Sequence, residues 1–308
     1  MSPNAPLKLM FVALLCLGHT VASAGEPVRH RILIADYNPK NGHHLVEVSP
    51  EGKVLWEHKT NGLCVQFQRL PNGHIVYGYG GKPTGTREID RDGKVIWNYT
   101  SACPEAVCFE RLPNGNTLVA ETTPCQVVEV TPEGKVINTL KITTTEKNFH
   151  SQIRRIQRLT NGNTLASLSG EGVAREFRPD GSVAWEYGKR NWMFQAVRLA
   201  SGNTLISCGT DNRVVEVDPQ GKVVWELKPE EIPEVGMIWT TSIEQLANGN
   251  LLIGNFNNGR KDPGADCFEI TRDKKVVWQF ADHAHFKSIN QIMVLDVPGD
   301  VTKGEIQR

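Results

Sequence analysis

Histidine is the residue type in this chain best suited to chemistry, and its placement is uneven. His43-His44 and His283-Ala284-His285 are close pairs, and His150 lies four residues before Arg154. An imidazole titrates near neutrality, so it can serve as a general base, a nucleophile or a metal ligand. His43, His44, His283 and His285 would suffice for a transition metal if the fold gathered them. His150 and His285 with Arg154 would supply a base and a cation for catalysis. Gln66, Glu105, Gln152, Gln195, Thr241 and Asn290, with Trp192 and Trp239, mix amide, acid, hydroxyl and aromatic groups. That mixture suits a small polar ligand. These residues are scattered, so whether they meet depends on the elements that carry them.

Those elements repeat. The stretches Arg69-Leu70-Pro71-Asn72-Gly73, Arg111-Leu112-Pro113-Asn114-Gly115, Arg158-Leu159-Thr160-Asn161-Gly162, Arg198-Leu199-Ala200-Ser201-Gly202, Gln245-Leu246-Ala247-Asn248-Gly249 and Leu295-Asp296-Val297-Pro298-Gly299 are one turn written six times, with glycine steps of 42, 47, 40, 47 and 50 residues. Each of the first five turns is followed by an apolar run, a strand carrying Glu, an Asp/Glu-Gly-type turn and a strand that bears Trp in all but one, where Asn138 stands. A period in the forties made of short strands predicts propeller blades. The expected fold is all-β: a six-bladed β-propeller with four antiparallel strands per blade. The chain begins with an outer triplet of strands (32–35, 45–48, 54–58) and ends with a lone first strand (289–295). The closing blade is therefore expected from both termini, with residues 289–295 beside 31–36.

The repeat also explains its own charged and aromatic residues. Glu47, Glu88, Glu129, Glu176, Glu216 and Glu269 share one position, and Arg69, Arg111, Arg158 and Arg198 another. A carboxylate between blades needs a partner, so Glu–Arg pairing is expected. Trp56, Trp97, Trp185, Trp225 and Trp278 share a third position and read as blade packing. Function is then expected where the units differ, on the face carrying the second-to-third and fourth-to-first loops. Of the eight histidines beyond residue 24, five lie in these loops (His43, His44, His150, His283 and His285). Closure should bring the first and last pairs to one rim.

Bulk properties bound the rest. There are 34 basic and 34 acidic residues and no basic cluster, so nucleic acid is not an expected partner. Lys8, the apolar run 9–18 and Ala22-Ser23-Ala24 read as a signal peptide cleaved after residue 24. The run is too short to span a bilayer. The expected product is a secreted or periplasmic monomer without membrane insertion: a propeller over 25–298 and a loose tail over 299–308. Disulfides are then permitted, with Cys103–Cys125 the first expected pairing and Cys208–Cys267 the second.

The segments Val-Val-Glu-Val-Asp-Pro-Gln-Gly-Lys-Val-Val-Trp-Glu (214–226) and Leu-Val-Glu-Val-Ser-Pro-Glu-Gly-Lys-Val-Leu-Trp-Glu (45–57) resemble the repeats of quinoprotein-type, PQQ-like β-propellers. The vicinal cysteines that hold the quinone in that family are absent here, so quinone binding is not expected and the residues name no cofactor. The Leu-x-Asn-Gly-Asn-x-Leu turns resemble those of bacterial aryl-sulfate sulfotransferases. That resemblance implies a histidine nucleophile, matched best by His150 or His285, with Arg154 on the sulfate. Phe67-Gln68, Phe109-Glu110 and Ile156-Gln157 stand where that family has His-Asp pairs. The reading is an exported propeller that binds a small polar ligand or a protein through its loop face and central channel. The alternative is a sulfotransferase-like or hydrolytic enzyme using channel His and Arg.

Overall fold

The computed structural model describes residues 29–297, apart from 39–41, 61, 189–191 and 259. The expected signal peptide and tail lie outside the described residues. Within them are 24 strands: β1 Ile32–Asp36, β2 His44–Val48 and β3 Val54–Lys59; β4 Phe67–Arg69, β5 Ile75–Tyr79, β6 Thr84–Ile89 and β7 Val95–Ser101; β8 Cys108–Arg111, β9 Thr117–Glu121, β10 Gln126–Val130 and β11 Val136–Lys141; β12 Arg155–Arg158, β13 Thr164–Leu168, β14 Val173–Phe177 and β15 Val183–Tyr187; β16 Met193–Arg198, β17 Thr204–Cys208, β18 Arg213–Val217 and β19 Val223–Leu227; β20 Thr240–Gln245, β21 Leu251–Asn255, β22 Cys267–Ile270 and β23 Val276–Phe280; and β24 Ile289–Val294. They form six four-stranded antiparallel sheets, the blades of a β-propeller. The first blade has the order β24-β1-β2-β3, with Ile32 opposite Val294 and Leu33 opposite Met293. The ring is closed by the last strand lying beside the first, as the phase of the repeat predicts.

Turn chemistry sets the blades. Gly73, Gly115, Gly162, Gly202 and Gly249 all take positive φ in the first turn of their units, where a side chain would strain the backbone. The sixth copy of the other turn lacks glycine, and Lys274 adopts φ 65° in its place. Apolar cores lie between blades: Leu118 and Val127 of blade three share one with Leu168 and Phe177 of blade four. Close approach also fixes Gly78, where an added Cβ would lie 2.1 Å from the Val107 carbonyl oxygen of the next blade. Gly78→Ala is expected to wedge these blades apart at a cost of about 1–3 kcal/mol, read as a lower midpoint in thermal unfolding. An unchanged midpoint would show that the blades can separate freely there.

A β-bulge follows the repeated Glu in every blade, between Glu47/Val48, Glu88/Ile89, Glu129/Val130, Glu176/Phe177, Glu216/Val217 and Glu269/Ile270. Directly across the strand pair from the Glu stands the Trp, as in Glu47↔Trp56 and Glu216↔Trp225. A cation from the next blade joins both. Arg91 lies 4.4 Å from the Trp56 ring and 2.7 Å from Glu47, and Arg198 lies 5.0 Å from Trp185 and 3.0 Å from Glu176. Arg111 meets Glu88, Arg158 meets Glu129 and Arg272 meets Glu216. The expected pairing therefore forms and runs between blades, although Glu47 uses Arg31 and Arg91, not Arg69. Trp56, Trp185 and Trp225 also donate their indole N–H to backbone carbonyls of the following blade. These residues hold the ring together.

Candidate functional site at the loop-face mouth

The channel is filled by its own side chains. Each innermost strand has an unpaired backbone edge facing the centre, and buried N–H and C=O groups must find partners. Glutamines supply them. Gln66 donates to the Phe109 carbonyl (2.7 Å) and accepts from the Phe109 N–H (3.2 Å); Gln68 does the same at Arg111, Gln157 at Arg198 and Gln291 at Phe67. Gln195 accepts from the Ile243 N–H. Each amide imitates one rung of a strand ladder and sutures neighbouring blades. Gln66 and Gln195, nominated for ligand binding, are committed to this work.

Blade four keeps Gln157 but carries a cation where blades two and five have their first glutamine. Arg155 stands seven residues before its turn glycine, as Gln66 and Gln195 do. Here Ser167 Oγ takes over the suture by accepting from the Ala196 N–H (2.8 Å). Arg155 instead reaches across the channel to the Val65 carbonyl (3.1 Å) and the Gln291 amide oxygen (3.4 Å). Burial pushes its pKa down, yet a guanidinium stays charged at any ordinary pH. The remaining cavity, lined by Gln66, Arg155, Gln195, Ser242, Gln291 and others, has a volume of about 70 Å³. That holds a few waters and falls well short of the roughly 300 Å³ of a small-molecule pocket.

Polar groups with exposed neighbours collect at the loop-face end, where β8, β12, β16 and β20 begin. Glu105 is buried, and its carboxylate accepts from His150 Nδ1 (3.0 Å) and lies 3.8 Å from Arg154. Asn148 caps the short 3-10 turn Phe149–Ser151 and so places His150. The imidazole is half exposed, whereas the Arg154 side chain is 5% exposed. Arg154 Nε is buried and has no hydrogen-bond partner among the described residues. The Arg154 guanidinium sits 5.9 Å from the Phe194 ring, which meets Trp239 edge-on at 5.9 Å. Trp192 lies 5.9 Å from Phe194 and 6.0 Å from Trp239. All three rings are partly open to solvent, so they form an aromatic wall beside a buried cation. Gly209 makes room for it: a Cβ there would lie 2.7 Å from Trp239 Nε1.

Thr241 Oγ1 and Ser242 Oγ, on the bulge between Thr240 and Ile243, are buried without partners among the described residues. Gln152 is spent locally, accepting from the Thr123 N–H and donating to the Glu146 carbonyl. Asn290 donates to the Cys64 carbonyl. Of the three catalytic nominees, His150 and Arg154 share Glu105. His285 is 72% exposed and pairs with Asp282 instead.

The other loop histidines are likewise held by partners of their own. His44 lies between Asp36 (2.8 Å) and Glu57 (2.7 Å), His283 meets Asp266 (3.4 Å), and His43 accepts from the Asn38 N–H. No group of three or more metal-binding side chains forms among the described residues, so the four-histidine cluster is not assembled. The expected disulfides do not form either, and Cys103, Cys125, Cys208 and Cys267 are free thiols. Cys103 is instead turned to the Glu105 carbonyl, while burial pushes Cys125 up to about 12 and Cys208 to about 11. Sequence reading missed Phe194 and Arg155. Phe194 was visible as the second aromatic of Trp192-Met193-Phe194, and Arg155 as the charged residue at a glutamine position.

No family model matches the chain, and no curated protein matches it. Solved structures do. A protein of unknown function from Bacteroides caccae superposes with a TM-score of 0.76 at 24% identity, over 86% of this chain and 98% of that one. An inactive virginiamycin B lyase from Staphylococcus aureus with quinupristin gives 0.54 at 11%, over 83% and 87%. The WD40 propeller domain of Doa1 gives 0.56 at 14%, over 72% and 71%. At these identities the likeness is one of fold, and the class defined is the six-bladed β-propeller.

Proposed function

We propose that this is an exported β-propeller that binds a small ligand at its loop-face mouth, one end planar and apolar, the other anionic. The observation that carries the reading is the Trp192–Phe194–Trp239 wall beside Arg154, a buried cation with an unpartnered Nε. Flat groups stack on such a wall, and an anion gains a charge-assisted hydrogen bond from the guanidinium. Glu105 restrains Arg154 at 3.8 Å and leaves it directions in which to donate. The virginiamycin B lyase with quinupristin is a ligand-holding protein of the same fold, which makes the scaffold suitable without naming this ligand.

A second reading, ester or sulfate transfer or hydrolysis at the same mouth, is favoured by His150. Its Nδ1 is oriented by a buried carboxylate, as in a general-base dyad. The test is a binding and turnover screen with benzoate, phenyl sulfate and phenyl phosphate against benzamide and benzyl alcohol. The expected result is quenched tryptophan emission and a raised unfolding midpoint for the anions only, with a gain of about 2.7 kcal/mol at a hundredfold excess over Kd. Equal responses to the neutral compounds, or none to any, would overturn the binding reading. Release of phenol that His150→Ala abolishes would favour the second.

A further inference from the structure

We infer that the seam closing the propeller is a pH-responsive latch, set by His30 and His44 and tightest in mildly acidic surroundings. Five of the six interblade carboxylates are met by arginines of the next blade, which never titrate in the physiological range. The sixth, Glu269, is met by His30, the residue that leads into β1. His30 occupies the arginine's place in full, meeting the Trp278 ring edge-on at 4.9 Å as arginines elsewhere lie over their Trp.

The geometry requires the charged imidazole. His30 Nε2 lies 2.6 Å from Glu269 and Nδ1 lies 3.0 Å from Asp296, just beyond β24. A neutral imidazole has one N–H and one lone pair, so one carboxylate would face a lone pair; the imidazolium donates to both. The other end of the seam repeats the device. His44 is bonded through Nε2 to Asp36 (2.8 Å) and through Nδ1 to Glu57 (2.7 Å). The second oxygen of Asp36 accepts from the N–H groups of Lys287 and Ser288, which lead into β24. Both ends of β24 are thus tied to histidines held between two carboxylates. Among the described residues His74, His150 and His285 each face one acid.

The groups facing the two latches are few. His30 sees Glu269 from β22, Asp296 after β24 and the Trp278 ring from β23. His44 sees Asp36 from β1 and Glu57 from β3, with His43 beside it and Lys59 opposite in register. Burial opposes the charge on His30, but the bonds to Glu269 and Asp296 outweigh it and hold the pKa above the ordinary value. The Asp36 bond leads in raising that of His44. A raised folded pKa gives stability that is complete below the unfolded value and lost as pH climbs through the folded one.

The test is hydrogen exchange of the full protein at pH 5.5 and 8.5, corrected for intrinsic rates and read by segment. Protection of 289–294 and 32–36 is expected to fall several-fold at the higher pH relative to 164–168 and 173–177 in blade four. In His30→Gln/His44→Gln the seam should be weaker at pH 5.5 and its relative protection should no longer change with pH. If that variant does not fold, imidazole titration of the wild type by NMR decides: both histidines must titrate above their ordinary value. Seam protection that does not change with pH, or titration at or below the ordinary value, would overturn the proposal.

Discussion

Glu269→Ala should be among the most damaging single substitutions in the chain, costing about 3–5 kcal/mol of unfolding free energy, because removing one partner of a buried ion pair strands the other. Glu269 is 1% exposed and accepts from His30, Asn248 and Asn250. Alanine leaves buried His30 Nε2 without its acceptor, and a buried unsatisfied donor carries its own penalty, whereas Asn248 and Asn250 lie near solvent and can turn to water. The same change unties the seam. For a domain of this size the loss corresponds to a midpoint roughly 6–20 °C lower. Asp273→Ala, in an exposed turn of the same blade, is the control and should leave the midpoint within about 1–2 °C. A Glu269→Ala protein as stable as the wild type would mean that the carboxylate ring does not hold the blades.

Trp239→Leu and Arg154→Met should abolish most ligand affinity while leaving the propeller folded. Leucine fills part of the indole's space but offers no flat face to Phe194 or to a stacked ligand. Methionine keeps the apolar stem of Arg154 as far as the Nε position and loses the guanidinium and its charge. Truncating a desolvated charge contact costs about 2–5 kcal/mol, a loss of roughly thirtyfold or more in affinity for an anionic probe. The two variants should differ in kind. Arg154→Met should remove the preference for anions, since the wall remains. Trp239→Leu should weaken benzoate, phenyl sulfate and phenyl phosphate alike, since all three lose the face on which the ring stacks. Either variant binding benzoate or phenyl sulfate as the wild type does would place the site elsewhere.

The repeat could be read from the sequence because its physics is local. Asn-Gly and Asp-Gly turns, alternating strands and a carboxylate opposite a tryptophan are all set within a few residues. Closure was legible as well, since six first strands and six outer triplets leave one way to complete the ring. The site was legible only as a neighbourhood. Glu105, His150, Arg154, Trp192 and Trp239 do gather at one mouth, but His43, His44, His283 and His285 do not, because each finds its own partner on the fold. The pairs that build the mouth and the seam, by contrast, join distant positions: His30 and Glu269 are 239 positions apart, and His150 and Glu105 are 45. No local pattern announces them. The glutamines misled for a related reason. Gln66 and Gln195 sit where a ligand could enter, yet the unpaired edge of the neighbouring strand claims them, and a bare backbone edge has no sequence signature.

A crystal structure of the protein soaked with benzoate or phenyl sulfate bears most directly on the mouth as a binding site. The ring should lie against Trp192, Phe194 and Trp239, with its anionic group within hydrogen-bond distance of Arg154. A mouth left empty at concentrations that quench tryptophan emission in solution, with density instead in the channel or on the turn face, would contradict it.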